Sequence, residues 1–490
     1  MRAYAVFHLI GWVLAVLAAT MLLPIVFALK LDSIAVVQAF VIPALAIGFL
    51  GGILILAFRD RSILTGRWES LLLLGLVWLV VPLAAALPFY TAGYPKGVAD
   101  ALFEATSGFT TTGATALLDL SQAPRSIIIW RSVLQWLGGL TTLLTLVTIL
   151  GPLSGTNLLD RQLRIIGLGA HGSVRHMLEA VRSITPPYGA LTMACFMGLV
   201  FSGIPAFDAF CLALSTLSTG GFMPREGTIA VYGSATAELC LAFFMAAGAV
   251  SVLWIRATLQ MRWAFVRVTT EPLWIIGLIV CFGTGLGILL MANTPGTSWS
   301  EASSSLTLGL ATAASIVSTT GLPISDNAQD MIPYMLLLGL CILGGGRFST
   351  AGGLKVYRVL SMLRQAGREL RLLIYPHGVR PARHGEESRD VEIIKSAWIM
   401  LAAFIIAAGA LAITLAASGL LFSGALLASA GALSNMGPIY EIARGVNFPQ
   451  APAYGEMTSL AQISLCIGMV FGRVEILALL TFVNLANWRD

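Results

Sequence analysis

Long stretches without Asp, Glu, Lys or Arg dominate the pattern of apolar and polar positions in this chain. Several of them approach or exceed the roughly 20 residues that an α-helix needs to cross a bilayer: Ala5–Leu29, Ile34–Phe58, Leu71–Phe89, Leu239–Ile255 and Ala397–Leu421. Each stretch predicts a membrane-spanning helix. The mean hydropathy of +0.86 and the charged fraction of 11% agree with this, since an ordinary globular chain is about 25% charged.

Shorter apolar runs, of 8 to 13 residues and so near the roughly 10–14 of a re-entrant segment, lie between the long ones. They are Leu102–Phe109, Phe207–Leu217, Leu306–Val317 and Leu421–Leu433. This length is typical of a re-entrant segment, which enters the membrane and returns to the same side. Four acidic residues are expected at the outer ends of these segments, as partners of the helix dipoles: Asp100, Glu104, Asp208 and Glu301.

A small turn rich in hydroxyl groups and glycine ends each short run. The turns are Phe109–Ala114 (Phe-Thr-Thr-Thr-Gly-Ala), Leu217–Phe222 (Leu-Ser-Thr-Gly-Gly-Phe), Val317–Leu322 (Val-Ser-Thr-Thr-Gly-Leu) and Leu433–Pro438 (Leu-Ser-Asn-Met-Gly-Pro). We interpret one glycine of each turn as equivalent, with a recurrence of roughly 100 residues that indicates an internal fourfold repeat: Gly113, Gly220, Gly321 and Gly437. The fourth turn carries Asn and Met where the others have hydroxyl groups or glycine, so its side chains would break the symmetry.

The predicted fold class is an all-α polytopic membrane protein. Two N-terminal helices precede four pseudo-symmetric units of helix, re-entrant pore loop and helix, arranged around a central ion pore, which makes ten crossings. The expected segments are an N-terminal hairpin (1–67), repeat 1 (68–160), repeat 2 (161–267), repeat 3 with a gate loop and a basic cytoplasmic loop (268–390), and repeat 4 (391–490).

The positive charge of this chain is concentrated in a few segments between the predicted spans. The basic segments are Arg2, Arg59–Arg67, Arg161–Arg182, Arg256–Arg267, Lys355–Lys395 and Arg489. The positive-inside rule places all of them, and both termini, in the cytoplasm. The net charge of +5 therefore reflects membrane topology, and no nucleic-acid partner is expected.

Few chemical sites other than the turns are indicated. The six cysteines lie singly in apolar stretches, so neither a disulfide nor a zinc site is expected. Gly167–Gly172 spells G-x-G-x-x-G, but its loop of about 25 residues has no room for the βαβ unit of a dinucleotide site. No organic cofactor is expected on this chain. H-E-x-x-H and G-x-S-x-G motifs are absent, which argues against a membrane enzyme.

The four turns suit the binding of a dehydrated cation. Without bulky side chains, main-chain carbonyl groups can point into a narrow passage and replace the water around the ion. Glycine permits the unusual backbone angles and the close approach that this requires. Each short helix would also direct its partially negative C-terminal end towards the ion.

These turns and several other motifs resemble the Trk/Ktr/HKT superfamily of cation transporters. The other motifs are Trp136–Gly139, Gly352–Lys355, Glu369–Arg371, Tyr375–Val379 and Gly472–Glu475. The two additional N-terminal helices are similar to the TrkH-type branch, the membrane subunit of bacterial potassium uptake. The resemblance covers nearly the whole chain.

The resemblance implies that the transported ion is potassium and that the protein crosses the lipid of the bacterial inner membrane several times. It also implies a homodimer and a cytoplasmic TrkA-like nucleotide-binding subunit that regulates the pore. It implies K+ binding by backbone carbonyls of a selectivity filter at Thr111, Thr112, Gly113, Ser218, Thr219, Gly220, Thr319, Thr320, Gly321, Asn435, Met436 and Gly437.

The resemblance also implies an intramembrane gate loop in the third repeat. Its residues would be Gly344, Gly345, Gly346, Ser349, Thr350, Gly352 and Gly353. Arg347 and Phe348 depart from the small residues of the family pattern. The alternative is that this segment is simply the cytoplasmic end of a span.

Arg473 lies within an apolar helix, where a charge costs about 2.5–3.5 kcal/mol and must face protein or water. The resemblance implies a gate position below the filter, where Arg473 would repel cations. The alternative is a buried ion pair with a carboxylate on another helix. Glu475 is too close along the same helix to be that partner.

Two further functions stay open. The pathway could be less selective between Na+ and K+, or the protein could be an ion-coupled secondary transporter such as a symporter. A secondary transporter with paired repeats would place broken helices and carboxylates near the bilayer midplane. In this chain the carboxylates lie mainly at the ends of the predicted spans.

Overall fold

The computed structural model describes residues 3–59, 67–150, 174–261, 263, 269–293, 299–374 and 386–474. Within these ranges every regular element is helical, which confirms the predicted fold class. Gly167–Gly172, Tyr375–Val379, Glu475 and much of the basic segments lie outside them. The side chain of Glu301 is likewise outside the description.

The N-terminal region consists of three helices: α1 (Ala3–Thr20), α2 (Leu22–Leu31) and α3 (Ile34–Ala57). Helices α1 and α3 cross with their backbones nearly in contact, since a Cβ on Gly11 would lie 2.9 Å from the carbonyl oxygen of Gly51. Small residues permit this close packing between helices in lipid. Phe40 of α3 packs edge-on against Trp130, which fixes this region against the first repeat.

The segments predicted as repeats 1 and 2 follow. The first contains α4 (Arg67–Ala92), the short helix α5 (Val98–Phe109) and α6 (Arg125–Thr145), which continues in a π-helical turn at Leu146–Leu150. The second contains α7 (Val174–Phe201), the short helix α8 (Ala206–Leu217), a 3-10 turn (Ile229–Tyr232), α9 (Ala235–Ala249) and α10 (Val252–Leu259).

The segments predicted as repeats 3 and 4 have additional short elements. The third contains α11 (Glu271–Asn293), α12 (Trp299–Val317), α13 (Asp326–Asp330), α14 (Tyr334–Leu343) and α15 (Val356–Ile374). The fourth contains α16 (Glu386–Ala417), the short helix α17 (Phe422–Leu433), α18 (Pro438–Asn447), a 3-10 turn (Tyr454–Glu456) and α19 (Ser459–Val474).

Among the described residues, seven helices are long and apolar enough to cross a membrane, or eight when α9 and α10 count as one bent span. The predicted ten crossings also include α14 and α19, which are shorter than a full span in the described part of the chain. Helix α14 is short because the segment after Leu343 is not helical.

The apolar run Leu239–Ile255 differs from the straight span that its sequence predicts. Helices α9 and α10 meet at an angle of 104°, with Val250 and Ser251 at the break. Val250 is extended, and its N–H still donates to the carbonyl oxygen of Ala246. The run therefore forms two helices, and the predicted gate loop packs into the bend between them.

Candidate ion pathway

The four short helices α5, α8, α12 and α17 end in turns of one common geometry. The second residue after each helix has a left-handed backbone, with φ of 53° at Thr111, 53° at Thr219, 58° at Thr319 and 52° at Asn435. In each turn, the N–H of this left-handed residue and the N–H of the following residue donate hydrogen bonds to carbonyl groups of the last helical turn. In the first turn, Thr111 N–H bonds Gly108 O at 3.0 Å and Thr112 N–H bonds Ser107 O at 2.8 Å. This is the Schellman arrangement, repeated in all four turns.

Three of these left-handed residues are threonines, which is unusual. Helices normally place glycine there, because a β-branched side chain at positive φ is strained. Such a conformation costs of order 1–3 kcal/mol and persists only where the surroundings enforce it. All three threonines and Asn435 are fully buried. The strain at the same position of three repeats, matched by Asn435 in the fourth, indicates a functional constraint on the turns.

The structure shifts the predicted alignment of the second turn by one residue. Two positions after the left-handed residue, φ is again positive at Gly113 (79°), Gly221 (80°) and Gly321 (71°). Gly221, not Gly220, is therefore equivalent to the other two glycines. Gly220 occupies the position of Thr112, Thr320 and Met436, although it remains part of the turn. The fourth turn differs here, since Gly437 has φ −62° and begins helix α18.

The four turns meet one another in a closed ring. A Cβ on Gly113 would collide with the carbonyl oxygen of Gly220, and a Cβ on Gly221 with that of Thr320. The fourth turn closes the ring onto the first, because Gly437 N–H donates to the carbonyl oxygen of Thr112 at 2.6 Å. Segments roughly 100 residues apart in sequence thus form one site of backbone groups.

Glycines on the surrounding helices allow this ring to be enclosed tightly. A Cβ on Gly138 of α6 would collide with the carbonyl oxygen of Phe109, and one on Gly472 of α19 with that of Leu433. Gly139 faces Ser218, with 3.0 Å between a built Cβ and the Cβ of that serine. The Trp136–Gly139 and Gly472 motifs therefore have a packing role behind the turns.

Hydrogen bonds between polar side chains stabilise the turns. Hydroxyl pairs bond within single turns, at 2.7 Å between Thr110 and Thr112 and at 2.6 Å between Ser318 and Thr320. Asn435 instead links two turns, donating from Nδ2 to Thr112 Oγ1 at 3.1 Å and to Met469 O at 2.9 Å. The amide that breaks the sequence symmetry thus ties the fourth turn to the first.

The predicted gate loop is the irregular segment 344–355 between α14 and α15, and it lies directly against the turns. Thr350 Oγ1 donates to Leu217 O at 3.1 Å, and Gly352 N–H donates to Thr319 Oγ1 at 2.8 Å. A Cβ on Gly352 would collide with the carbonyl oxygen of Ser434. These contacts, and the burial of Ser349 and Thr350, argue against the alternative that the segment is simply the cytoplasmic end of a span.

Glycines shape this segment where the chain approaches itself. Gly344 (φ 70°) and Gly353 (φ 73°) have left-handed backbones and face each other, with 2.8 Å between a Cβ built on Gly344 and the Cα of Gly353. Gly345 N–H donates to Gly352 O at 3.3 Å. Gly346 accepts the Ser349 hydroxyl at 2.7 Å. The segment is thus a folded loop with internal hydrogen bonds.

The loop also enters the bend between α9 and α10. Gly346 N–H donates to Ala249 O at 2.9 Å, and Val252 N–H donates to Phe348 O at 3.3 Å. Thr350 Oγ1 lies 3.1 Å from Gly248 O. The carbonyls freed by the helix break therefore bind the loop, which satisfies them within the protein.

Arg347 and Phe348 fit the structure in different ways. Arg347 turns away from the ring: its Nε lies 3.5 Å from Glu271 Oε1 and its guanidinium lies 3.8 Å from the Tyr357 ring centre. Phe348 is buried, with a left-handed backbone of φ 55°. Arg347 is therefore accommodated by Glu271 and Tyr357, and Phe348 belongs to the apolar core.

Arg473 of α19 connects the loop to the first turn. Its guanidinium donates to Thr350 O at 2.5 Å and also to Thr110 O and Thr111 Oγ1. The side chain is 6% exposed. Within the described part of the chain, its hydrogen-bond acceptors are backbone carbonyls and a hydroxyl group. No described contact supports the alternative of a buried ion pair.

The acidic residues predicted at the helix entrances have distinct surroundings. Asp208 pairs with Arg225 at 2.6 Å and accepts from the Tyr232 hydroxyl at 3.0 Å, and Asp100 accepts from Gln462 at 2.5 Å. Glu104 is not at an entrance: it is fully buried and pairs with Arg131 at 2.5 Å. The Glu104–Arg131 pair was not found from the sequence, although two charges within apolar stretches were a signal.

One acidic residue lies in each of the loops after the first and second turns, Asp119 and Glu226. Leu120 N–H donates to Glu226 Oε1 at 2.9 Å, which joins the loops after the first and second turns. Hydrogen bonds from Ser121 lower the pKa of the exposed Asp119 carboxyl below its usual range. Asp119 therefore stays ionised at neutral pH and contributes negative potential on this side of the ring.

Comparisons with known proteins find similarity to one family of transporters. Residues 37–268 match the family model TrkH, described as cation transport protein. The Trk system potassium uptake protein TrkH of Salmonella typhimurium is 28% identical over 453 residues, covering 88% of each chain. The protein of the same name from Halomonas elongata is 28% identical over 494 residues, covering 99% of each. The crystal structure of the potassium transporter TrkH from Vibrio parahaemolyticus superposes with a TM-score of 0.84, at 28% identity and with full coverage of both chains.

Proposed function

We propose that this chain, which resembles the TrkH family of cation transport proteins, takes up potassium across the bacterial inner membrane. The ion passes through the ring of four turns, where backbone carbonyls replace its hydration shell. The observation that carries this proposal is the left-handed, Schellman-type turn repeated at Thr111, Thr219, Thr319 and Asn435. Four such turns in contact support a passage that is lined by backbone groups.

The twelve residues proposed as the K+ site are those of the sequence prediction, with Gly221 added as the glycine equivalent to Gly113 and Gly321. The short helices support this assignment, because the C-terminal ends of four helices concentrate partial negative charge at the ring. The bound ion is the transported substrate.

The segment 344–355 acts as the gate in this proposal. It contacts the second, third and fourth turns directly and the first turn through Arg473. A loop in this position obstructs the passage on one side of the ring, and it must move for ions to pass. Gly344 and Gly353 are the positions at which its backbone can pivot.

The chain would work as a homodimer, with both termini in the cytoplasm and a cytoplasmic TrkA-like subunit as regulator. The name "Trk system" of the relatives agrees with a multi-component transporter. Helix α15 is the proposed docking element, because it follows the gate loop without interruption and exposes Arg364, Arg368 and Arg371. A partner that binds α15 could therefore pull on the gate.

Ion flux in proteoliposomes tests the proposal, with potassium, rubidium, sodium or lithium as the only permeant ion. We expect potassium and rubidium to pass and sodium and lithium to be disfavoured. Equal flux of sodium and potassium would reduce the function to a nonselective cation pathway. Flux that saturates and follows an imposed proton gradient would favour the ion-coupled transporter.

Replacing Gly113 with serine is expected to weaken the preference for potassium over sodium. The added Cβ would collide with the carbonyl oxygen of Gly220, and φ of 79° is strained for serine, so the ring must distort at this junction. The measurement is the ratio of potassium to sodium flux. Gly189→Ser is the matched control, because a Cβ on Gly189 of α7 meets no atom within 4 Å. Unchanged ratios in the Gly113 variant would remove this glycine from the filter.

Neutralising Arg364, Arg368 and Arg371 together with glutamine is expected to weaken binding of a purified TrkA-like subunit about tenfold, since exposed charges contribute about 0.2–1 kcal/mol each. Binding is measured in detergent solution at two salt concentrations. The control variant replaces Lys30, Lys96 and Arg125 with glutamine. It also removes three exposed positive charges, but from the ends of helices on the side of the protein opposite α15. A partner that binds both triple variants equally would argue against docking at α15.

A further inference from the structure

Pro438 occupies a special place among the four turns. A Cβ built on Gly113 would lie 3.3 Å from Pro438 Cδ, one on Gly221 3.2 Å from Cγ, and one on Gly321 3.1 Å from Cδ. These glycines are equivalent positions of three different repeats. A single ring that touches the same position in three repeats must lie close to the pseudo-fourfold axis. Pro438 is therefore central to the passage that the turns surround.

The backbone around Pro438 departs from the other repeats. Where the first three turns have a left-handed glycine, Gly437 is helical and Pro438 is the first residue of α18. Gly437 N–H is bonded to Thr112 O at 2.6 Å, and Gly437 O accepts the Tyr454 hydroxyl at 3.0 Å. Both polar groups of Gly437 are thus engaged by protein. What the fourth turn places beside the three glycines is the hydrocarbon ring of Pro438.

We propose that the Pro438 side chain is a constriction of the filter at the level of the three glycines and a residue that determines ion specificity. This inference rests on the proposed function. A pyrrolidine ring offers neither a lone pair nor an N–H. A cation at this level can be bound on three sides only, and it must displace or squeeze past the ring to reach the carbonyls.

A helix-starting role alone does not account for this arrangement. Proline is common at the first helical position because its φ is suitable and its missing N–H has no partner there. A proline that only starts a helix does not need particular residues around its side chain. Here the ring is buried among three glycines, two of which would also clash with neighbouring carbonyls if they carried a Cβ.

The test compares Pro438→Ala with wild type in proteoliposomes. Alanine removes Cγ and Cδ, the closest atoms to the three glycines. We expect rubidium flux per folded protein to rise at least about threefold and the potassium-to-sodium ratio to fall, because the constriction is relieved. Pro438→Val, which restores branched bulk, should return the flux to wild-type level or below. Pro333→Ala, at the start of α14, is the control for loss of a helix-starting proline.

The outcomes separate this inference from the proposed function. If Gly113→Ser changes the ion ratio and Pro438→Ala changes neither flux nor ratio, the constriction is disproved and the filter stands. If neither variant changes the ratio and wild type does not discriminate between ions, the proposed filter itself fails. A Pro438→Ala variant with lower melting temperature, lower flux and an unchanged ratio assigns the proline to helix initiation only. Pro438→Gly provides the same comparison if the alanine variant does not fold.

Discussion

Rubidium flux per folded protein is expected to rise at least about tenfold when Arg473 is replaced by alanine. In the structure this guanidinium lies against Thr110, Thr111 and Thr350, between the first turn and the gate loop. A cation that passes at 4 Å meets a repulsion of about 4 kcal/mol at an effective dielectric constant near 20. Since about 1.4 kcal/mol corresponds to a factor of ten, a third of this repulsion is enough for the expected effect.

Loss of Arg473 also removes a mechanical link. The side chain holds Thr350 O of the gate loop and Thr110 O of the first turn at the same time. Alanine frees both carbonyls, so the loop loses its attachment to this turn while keeping its bonds to Leu217 and Thr319. Charge removal and loop release therefore act in the same direction, towards conduction.

Arg473→Lys separates the two effects. Lysine keeps the positive charge but lacks the planar fork that binds several acceptors at once. If repulsion dominates, the lysine variant should conduct like wild type, and if the link dominates, it should conduct like the alanine variant. A well-folded alanine variant with reduced flux would contradict the placement of Arg473 at the gate. The folded fraction is measured by size-exclusion chromatography of the same preparation.

The helices and their order were largely predictable from the sequence. The four short runs are the helices α5, α8, α12 and α17, and the glycine-rich segment after Leu343 is irregular as expected. Run length was sufficient for α5, α8 and α17, because a helix of 12 residues cannot cross a bilayer. Helix α12 has 19 residues, and only the apolar run Leu306–Val317 within it was predicted. The gate-loop glycines could be located because consecutive glycines destabilise a helix.

The conformation of the turns could not be predicted. Sequence propensity places glycine, not threonine, in the left-handed position after a helix. Thr111, Thr219 and Thr319 take it because tertiary contacts of the enclosed ring outweigh local preference. The same reason explains the misassigned glycine of the second turn. Gly220 and Gly221 are adjacent and alike in sequence, and only the backbone angles distinguish them.

The break between α9 and α10 was hidden for a similar reason. The run Leu239–Ile255 has neither charge nor proline, so its pattern is that of a continuous helix. The bend is stabilised by a segment about 100 residues away, since Gly346, Phe348 and Thr350 bond with residues 248–252. The apolar pattern of Leu239–Ile255 alone cannot show that a distant segment of the chain binds there.

Replacing Arg131 with methionine is expected to destabilise the folded protein by about 3–5 kcal/mol. Arg131 and Glu104 are 1% and 0% exposed, so the variant leaves a carboxylate buried without its counter-charge. Glu104 would still accept Ala116 N–H at 2.8 Å and the Thr115 hydroxyl at 3.2 Å, but neutral donors do not replace the lost counter-charge. Arg131 also stacks on Phe222 at 4.0 Å and bonds Met223 O at 3.3 Å, so the segments after the first and second turns lose their connection.

Two comparisons make this expectation specific. Arg444→Met breaks an ion pair of similar geometry, since Glu441 and Arg444 are 2.6 Å apart, but these side chains are 29% and 32% exposed. Its cost should be only about 0–1 kcal/mol. The double variant Glu104→Gln with Arg131→Met leaves no buried charge and should regain much of the loss, because removing both ions costs less than stranding one. Melting temperatures in detergent should therefore rank Arg444→Met above the double variant and the double variant above Arg131→Met. If Arg131→Met has the same melting temperature as Arg444→Met, the buried Glu104–Arg131 pair does not stabilise the ring of turns.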